Sequence, residues 1–168
     1  MARIPIGSNI EADEVLNPDR INSLRNKLGL DNGQVLLGYF GFLNTSKGAD
    51  ILVQALAKSD ENVQLLFLGA STGSSDPENK AFLKYIRQLI KDFQLESRIH
   101  WSGFQTDSAL STFFQAADIM VMPYRDGVTL RRGTLMAILA QGRPLITTQP
   151  QSKIPELVHG QNVWLSPI

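Results

Sequence analysis

Five short runs of almost unbroken apolar residues alternate along the chain with segments of helical period: Val35 to Gly41, Val63 to Gly69, Ile99 to Trp101, Ile119 to Met122 and Leu145 to Thr148. A strand with one face in water alternates apolar and polar residues, whereas a strand covered on both faces has no polar face to show. The alternation therefore predicts βα units forming a parallel sheet with helices on both faces, a doubly wound three-layer α/β/α fold.

The intervening segments support that reading. Phe82, Leu83, Ile86, Leu89, Ile90 and Phe93 stand at i, i+1, i+4, i+7, i+8 and i+11, with Lys80, Lys84, Arg87 and Lys91 at other positions, which is one apolar stripe on a helix. Leu110, Phe113, Phe114 and Ala117 repeat the stripe after Thr106-Asp107, and Ile51, Leu52, Ala55 and Leu56 do so after Lys47-Gly48. Another helix carries Leu135, Met136, Ile138 and Leu139 and stops at Gly142-Arg143-Pro144. The opening helix has Asn17 as cap, Pro18 at its first position and Gly29 just past its end, the usual asymmetry of proline-first and glycine-last. Pro155-Glu156-Leu157-Val158 reads as a last short helix, with Glu156 as a cap or surface acid rather than a sugar ligand. No internal repeat or charge block divides the chain, so one domain over residues 17–168 is expected.

Composition excludes several functions. A chain of 168 residues buries about two thirds of its unfolded surface and needs no staple to hold a core. Sixteen basic residues balance sixteen acidic ones, leaving no overall field to gather nucleic acid or an anionic membrane. The absence of cysteine removes disulfides, thiolate chemistry and zinc-finger ligation. His100 and His159 have no partner at ligand spacing, so no metal site is expected. No apolar run approaches the roughly 18 residues of a membrane span, and the expected location is cytoplasmic.

In open α/β sheets ligands bind beyond the carboxyl ends of the strands, where loops lead into helix N-termini with free N–H groups. The loops to inspect are Gly41 to Gly48, Gly69 to Ser75, Gly103 to Asp107, Pro123 to Gly133 and Thr147 to Ile154. The first sets Lys47 and Gly48 at a helix start, where an ammonium and backbone donors can share a phosphate; it fits neither a Walker loop nor G-x-G-x-x-G. The fourth crowds Arg125, Asp126, Gly127, Arg131, Arg132 and Gly133 between a strand and a helix. Guanidinium groups beside helix N–H groups suit a diphosphate, and arginines at a helix N-terminus oppose its dipole, so an unpaired pair there hints at an absent anion. The other reading of this loop is a solvated basic turn with Asp126 as internal counter-ion.

Taken in order, the loops resemble the carboxyl-terminal nucleotide-sugar-binding domain of the group 1 glycosyltransferases, family four, of GT-B architecture. The resemblance covers nearly the whole chain. It rests on Ile4-Pro5-Ile6-Gly7-Ser8-Asn9, on Gly41 with Lys47-Gly48, on Trp101-Ser102-Gly103-Phe104, and on Ala117 to Tyr124 (ADIMVMPY). It continues in Ala140 to Thr148 (AQGRPLITT) and in Pro155-Glu156-Leu157-Val158 with Gly160-Gln161-Asn162. It implies a Rossmann-like domain, the C-terminal half of a GT-B fold, with residues 1–16 as a remnant of the interdomain linker and a chain truncated at both ends. It also implies a hexosyl-type transferase that is retaining and metal-independent, moving a sugar from a UDP- or GDP-sugar donor to a glycan or lipid-linked acceptor held by an amino-terminal domain. No cofactor besides the donor is implied. The pathways would be of glycan, lipopolysaccharide or exopolysaccharide type, with the complete protein peripheral to the inner face of the membrane and the isolated domain inactive.

In that family an arginine and a lysine of the first loop hold the donor phosphates; here the lysine is Lys47, and Phe42 stands in the arginine's place. The family's two glutamates, which touch the donor sugar and the ribose, fall on Thr129 and Ala137 in a gapless alignment on Ala140-Gln141-Gly142. Asp126, three residues before Thr129, takes the first role only if the loop is remodelled. Donor-binding candidates are therefore Gly41, Lys47, Gly48, Gly103, Phe104, Gly127, Arg131, Arg132 and Gly133, with Asp126 and Thr129 as catalytic candidates. Arg131 and Arg132 are expected to replace the missing arginine from the opposite wall. Phe104 is either a base-side contact or a core residue closing the sheet end. The loss of both glutamates leaves a second class open, a non-catalytic nucleotide-sugar-binding or interaction module.

Overall fold

A computed structural model describes residues 7, 8, 10, 17–70 and 77–168. Most of the segment Ile4 to Asn9, most of residues 1–16, and residues 71–75 of the loop from Gly69 lie outside the described residues.

The elements run α1 (Pro18–Lys27), β1 (Val35–Phe40), α2 (Ala49–Leu56), β2 (Val63–Leu68), α3 (Pro77–Asp92), β3 (Ile99–Trp101), α4 (Asp107–Ala116), β4 (Ile119–Met122), α5 (Gly133–Ala140), β5 (Leu145–Thr148) and β6 (Trp164–Ser166). All five expected strands form. The first two end one residue early, just before Gly41 and Gly69. The short sixth strand, absent from the apolar pattern, exists through its pairing with β5, with Trp164 opposite Ile146 and Ser166 opposite Thr148. The expected helix at Pro155–Val158 is instead a turn followed by irregular chain. There the Asn162 side chain takes over backbone groups that a helix would use: Val158 N–H donates to Asn162 Oδ1 at 2.8 Å, and Asn162 Nδ2 donates to the Glu156 carbonyl at 2.8 Å.

The sheet is parallel throughout, in the order β3-β2-β1-β4-β5-β6. The chain runs outward from β1 to β3, returns through α4 to place β4 on the other side of β1, and continues to β6. Right-handed crossovers then put α2 and α3 on one face and α4 and α5 on the other. In accord with this, α2 packs on α3 and α1 on α4, while Ser111 of α4 donates to Gln141 at the end of α5 at 3.0 Å. The strand order reverses between β1 and β4, which opens a crevice at their carboxyl ends.

Burial on both faces explains the unbroken apolar strands. Every residue of β2 after Val63 is buried. β1 sends Tyr39 to one face, edge-on to Phe67 at 5.4 Å, and Phe40 to the other, edge-on to Phe114 of α4 at 4.9 Å. Each fully buried side chain of this size contributes about 2 to 3 kcal/mol of transfer free energy. At the amino ends of the strands Arg25 of α1 ties the layers together. It donates to the Ala116 and Gln34 carbonyls, both at 2.8 Å, and pairs with Asp118 at 3.1 Å. Asp118 in turn accepts from Leu36 N–H at 2.7 Å. α1 begins on the Asn17 side chain, which accepts from Arg20 N–H at 3.1 Å. It ends with Gly29 N–H on Asn26 and Leu30 N–H on Arg25, both at 3.0 Å, the paired bonds of a Schellman motif.

Gly48, singled out from sequence as a phosphate contact, is a packing residue. It is buried, takes φ +67, and a Cβ there would lie 2.1 Å from the Pro123 carbonyl oxygen. The absence of a side chain lets the start of α2 close against the loop after β4. Gly48→Ala is expected to cost about 2 kcal/mol or more, combining left-handed strain with a backbone clash. Gly29→Ala, at φ +72 with nothing within 4 Å, should cost only about 1 kcal/mol. Urea midpoints of the two variants measure the difference; equal losses would show that the close approach at Gly48 is unimportant.

Candidate functional site

The first loop folds back on itself. Asn44 Oδ1 accepts from Lys47 N–H at 3.1 Å, closing a 3-10 turn over Thr45–Lys47. Lys47 then turns toward the end of β1, and its ammonium donates to the Phe42 carbonyl at 3.1 Å. A Cβ at Gly41 would lie 3.0 Å from Lys47 Nζ and 2.7 Å from Thr134 Cγ2. The first loop and the start of α5 thus meet across a glycine that leaves room for nothing larger.

Two ion pairs shape the loop after β4. Arg125 pairs with Asp50, a buried acid in the first turn of α2, and Arg125 N–H donates to the Ser46 carbonyl at 2.9 Å. Arg132 pairs with Asp126 and lays its guanidinium 4.0 Å above the centre of the Tyr124 ring. Tyr124 is buried, and its hydroxyl bonds Thr134 Oγ1 at 2.9 Å. Cation–π contact of this kind is worth about 0.5 to 2 kcal/mol.

Between these loops, at the carboxyl ends of the central strands, lies a cleft of 860 Å³. Gly41, Phe42 and Lys47 form one wall, Arg132, Gly133 and Thr134 another, and Gly69, Ala70, Phe104 and Gln105 extend it toward β2 and β3. Among the described residues no carboxylate pairs with Lys47. Burial and the nearby Arg132 cation lower the Lys47 ammonium to about 8. The two helices that open on the cleft differ in charge. α4 begins with Thr106 accepting from Ala109 N–H and with Asp107 in its first turn. α5 has no side-chain cap and no acid in its first turn, so its N–H groups and positive dipole end stay available to an anion. Other cavities lie elsewhere among the described residues, one of 450 Å³ between α1 and α4. One of 340 Å³ is lined mostly by apolar groups including Ile51, Leu52 and Ala55. One of 710 Å³ opens near Pro144 and Leu145, at the amino ends of the strands, away from the crevice.

Of the residues expected from sequence, Gly41, Lys47, Phe104, Arg132 and Gly133 come together around the cleft. Gly48, Gly103, Gly127, Thr129 and Arg131 are not among its walls. Gly127 packs against the backbone of Gln149 and Gln151. Arg131 is exposed in the turn that precedes α5, whereas Arg132, the next residue, lines the cleft. The expected unpaired arginine pair is therefore one exposed Arg131 and one Arg132 already held by Asp126. Thr129 is exposed, and Ala137 is wholly buried on the inner face of α5. Phe104 is 83% exposed at the cleft, so it is not the core residue that was the alternative. His100 Nε2 lies 3.3 Å from Gln64 Oε1, and His159 Nδ1 accepts from Leu165 N–H. Among the described residues no cluster of His, Asp or Glu is arranged to hold a metal, and no helix is long and apolar enough to cross a membrane. Sequence reading missed Thr134, the Tyr124 platform and the buried Asp50. Of these only Thr134 carried a signal, as the first polar residue of a helix that starts from the arginine loop.

The sequence pattern described as "Glycosyl transferases group 1" matches residues 34–168. Mannosylfructose-phosphate synthase of Agrobacterium fabrum is 28% identical over 131 residues, 74% of this chain and 27% of that protein. A D-inositol 3-phosphate glycosyltransferase of Pseudarthrobacter chlorophenolicus is 29% identical over 140 residues, 79% of this chain and 31% of that protein. Among solved structures, Anabaena HepE in complex with UDP and glucose superposes with a TM-score of 0.76 at 24% identity, over 97% of this chain and 41% of HepE. The C-terminal domain of the group 1 protein LpcC from Francisella tularensis gives 0.69 at 19% identity, over 96% of this chain and 80% of that one. The chain thus spans under a third of these curated relatives and under half of HepE. With the crevice where the strand order demands it and the family pattern running from β1 to the last residue, the chain belongs to the group 1 glycosyltransferases and has the fold of their carboxyl-terminal GT-B domain.

Proposed function

We propose that residues 17–168 bind the nucleotide-diphosphate sugar donor of a glycosyltransferase, with the diphosphate between Lys47, Arg132 and the N-terminus of α5. The observation that carries this reading is the meeting of two half-buried cations and an uncapped helix start in one cleft. Arg132 has Asp126 as counter-ion, but Lys47 has none among the described residues and α5 starts uncapped, which is costly unless an anion joins them. The nucleoside extends toward Gly69 and Phe104, where an exposed aromatic offers a face to a base or ribose. HepE, with the same fold, has been crystallised with UDP-glucose, which supports a uridine or similar nucleotide here.

As the bond from sugar to phosphate breaks, negative charge grows on the leaving diphosphate. Lys47, Arg132 and the first N–H groups of α5 stabilise that charge from fixed positions, supplying positive charge without a divalent cation. Arg132 takes the part that an arginine at position 42 plays in the family. Retention at the sugar carbon follows from the family resemblance, and the acceptor, a glycan or lipid-linked sugar, belongs to a second domain. The isolated domain then binds donor and transfers nothing, since catalysis needs both reactants in one geometry. A second reading, a non-catalytic module, is favoured by one observation: neither position 129 nor position 137 presents a carboxylate to the cleft.

Titration calorimetry with UDP, GDP and ADP tests the proposal. One nucleotide should bind, and Lys47→Ala should weaken it about tenfold to a hundredfold, the range for a charged hydrogen bond. Silence from all three nucleotides against the folded chain would overturn the reading. The lowered Lys47 ammonium adds a pH signature. Between pH 7 and 9.5 Lys47 loses its proton through about 8, so nucleotide affinity should fall. Over the same rise the ligand-free fold should gain stability relative to Lys47→Met, because the folded chain has released a proton that the unfolded chain, with its lysine near 10.5, still holds. Denaturation and binding curves at pH 7, 8.5 and 9.5 read both; parallel behaviour of wild type and Lys47→Met would remove the charge from the site.

A further inference from the structure

Arg132 has three neighbours of different kinds. Its guanidinium lies on the Tyr124 ring, one terminal nitrogen donates to the Asp126 carboxylate, and its side chain forms part of the cleft wall together with Lys47. The two members of the ion pair differ in setting: the Arg132 side chain is 16% exposed and that of Asp126 is 56% exposed. Asp126 is not a cleft wall, so its carboxylate reaches the guanidinium from the solvent side. Arg132 Nε is buried with no hydrogen-bond partner. Tyr124, the platform, is itself anchored through Thr134. Tyr124 and Thr134 therefore define where the guanidinium lies, and Asp126 supplies its counter-charge.

We infer that Asp126 is a displaceable counter-ion that holds Arg132 over Tyr124 in the empty cleft and yields it to the incoming diphosphate. The inference rests on the donor-binding reading and adds what sets the affinity of that site. Asp126 is the exposed member of the pair and water screens its charge, so a diphosphate that also meets Lys47 and the α5 N–H groups outcompetes a lone carboxylate. The guanidinium has five donors in a planar fork and can change partner at one nitrogen without leaving the Tyr124 ring. The exchange serves two needs. While the cleft is empty, the carboxylate offsets a cation that would otherwise face Lys47 unscreened, and it keeps the arginine from swinging into water. When the donor arrives, the arginine is already placed, and the cost of recruiting it is the loss of a weak pair. Asp126 is in this account a positioning residue that acts through Arg132 and touches no reacting atom.

The sign of its effect separates this role from a structural one. Asp126→Asn keeps the shape and a carbonyl oxygen to accept from Arg132 but removes the competing charge. It should tighten UDP binding, or binding of whichever of UDP, GDP and ADP the wild type takes, about two- to fivefold. The melting temperature of the ligand-free chain should fall slightly. A purely structural residue would weaken both. In an Arg132→Gln background the same substitution should leave nucleotide affinity unchanged, since there is no guanidinium to compete for. Weaker or unchanged binding by Asp126→Asn, or equal tightening with and without Arg132, overturns the inference while the donor-binding reading stands. If the folded wild type binds none of the three nucleotides, that reading fails and takes the inference with it.

Discussion

β1 is hydrogen-bonded to parallel strands on both sides, to β2 and to β4, and the functional geometry depends on that double pairing. With β4 returned to the far side of β1, the loops leaving the two strands rise side by side at the same end of the sheet. They then pack directly: Gly48 lets α2 approach the Pro123 carbonyl, Arg125 bonds both Ser46 and Asp50, and Thr134 lies over Gly41. A strand order that put another strand between β1 and β4 would separate Lys47 from Arg132 by the width of that strand, about 5 Å.

The charges of the cleft work against the stability of the empty domain. Lys47 is desolvated beside a second cation, and α5 starts without the cap or acid that most helices use. Each feature costs something in the absence of ligand. The buried Asp50 with Arg125 and the stacking of Arg132 on Tyr124 hold the loop in spite of this. A domain of this size stays folded because its core is ordinary and complete on both faces of the sheet. The strain is confined to the loops at the carboxyl ends of the central strands.

Much of this was legible in the sequence, for local reasons. Strands buried on both faces have to be apolar throughout, so β1 to β5 could be read directly. The caps of α1 are properties of Asn17, Pro18 and Gly29 alone. β6 was hidden because three residues carry no period, and Glu156 was assigned to a helix because nothing local announced that the Asn162 side chain would capture the same backbone. Phe104 was open between two roles, since an aromatic in a loop looks the same in sequence whether tucked in or exposed.

The sequence by itself therefore determined the fold class and the family pattern, because hydrophobic period, capping residues and glycine positions act over a few neighbouring residues. Only the tertiary structure decided which of two adjacent arginines enters the cleft, that Gly48 serves packing, that Ala137 is core, and that Asp126 and Tyr124 hold Arg132. Those outcomes depend on contacts between segments far apart in the chain, such as Gly41 with Thr134 and Asp50 with Arg125. Such contacts exist only once β1 and β4 lie side by side.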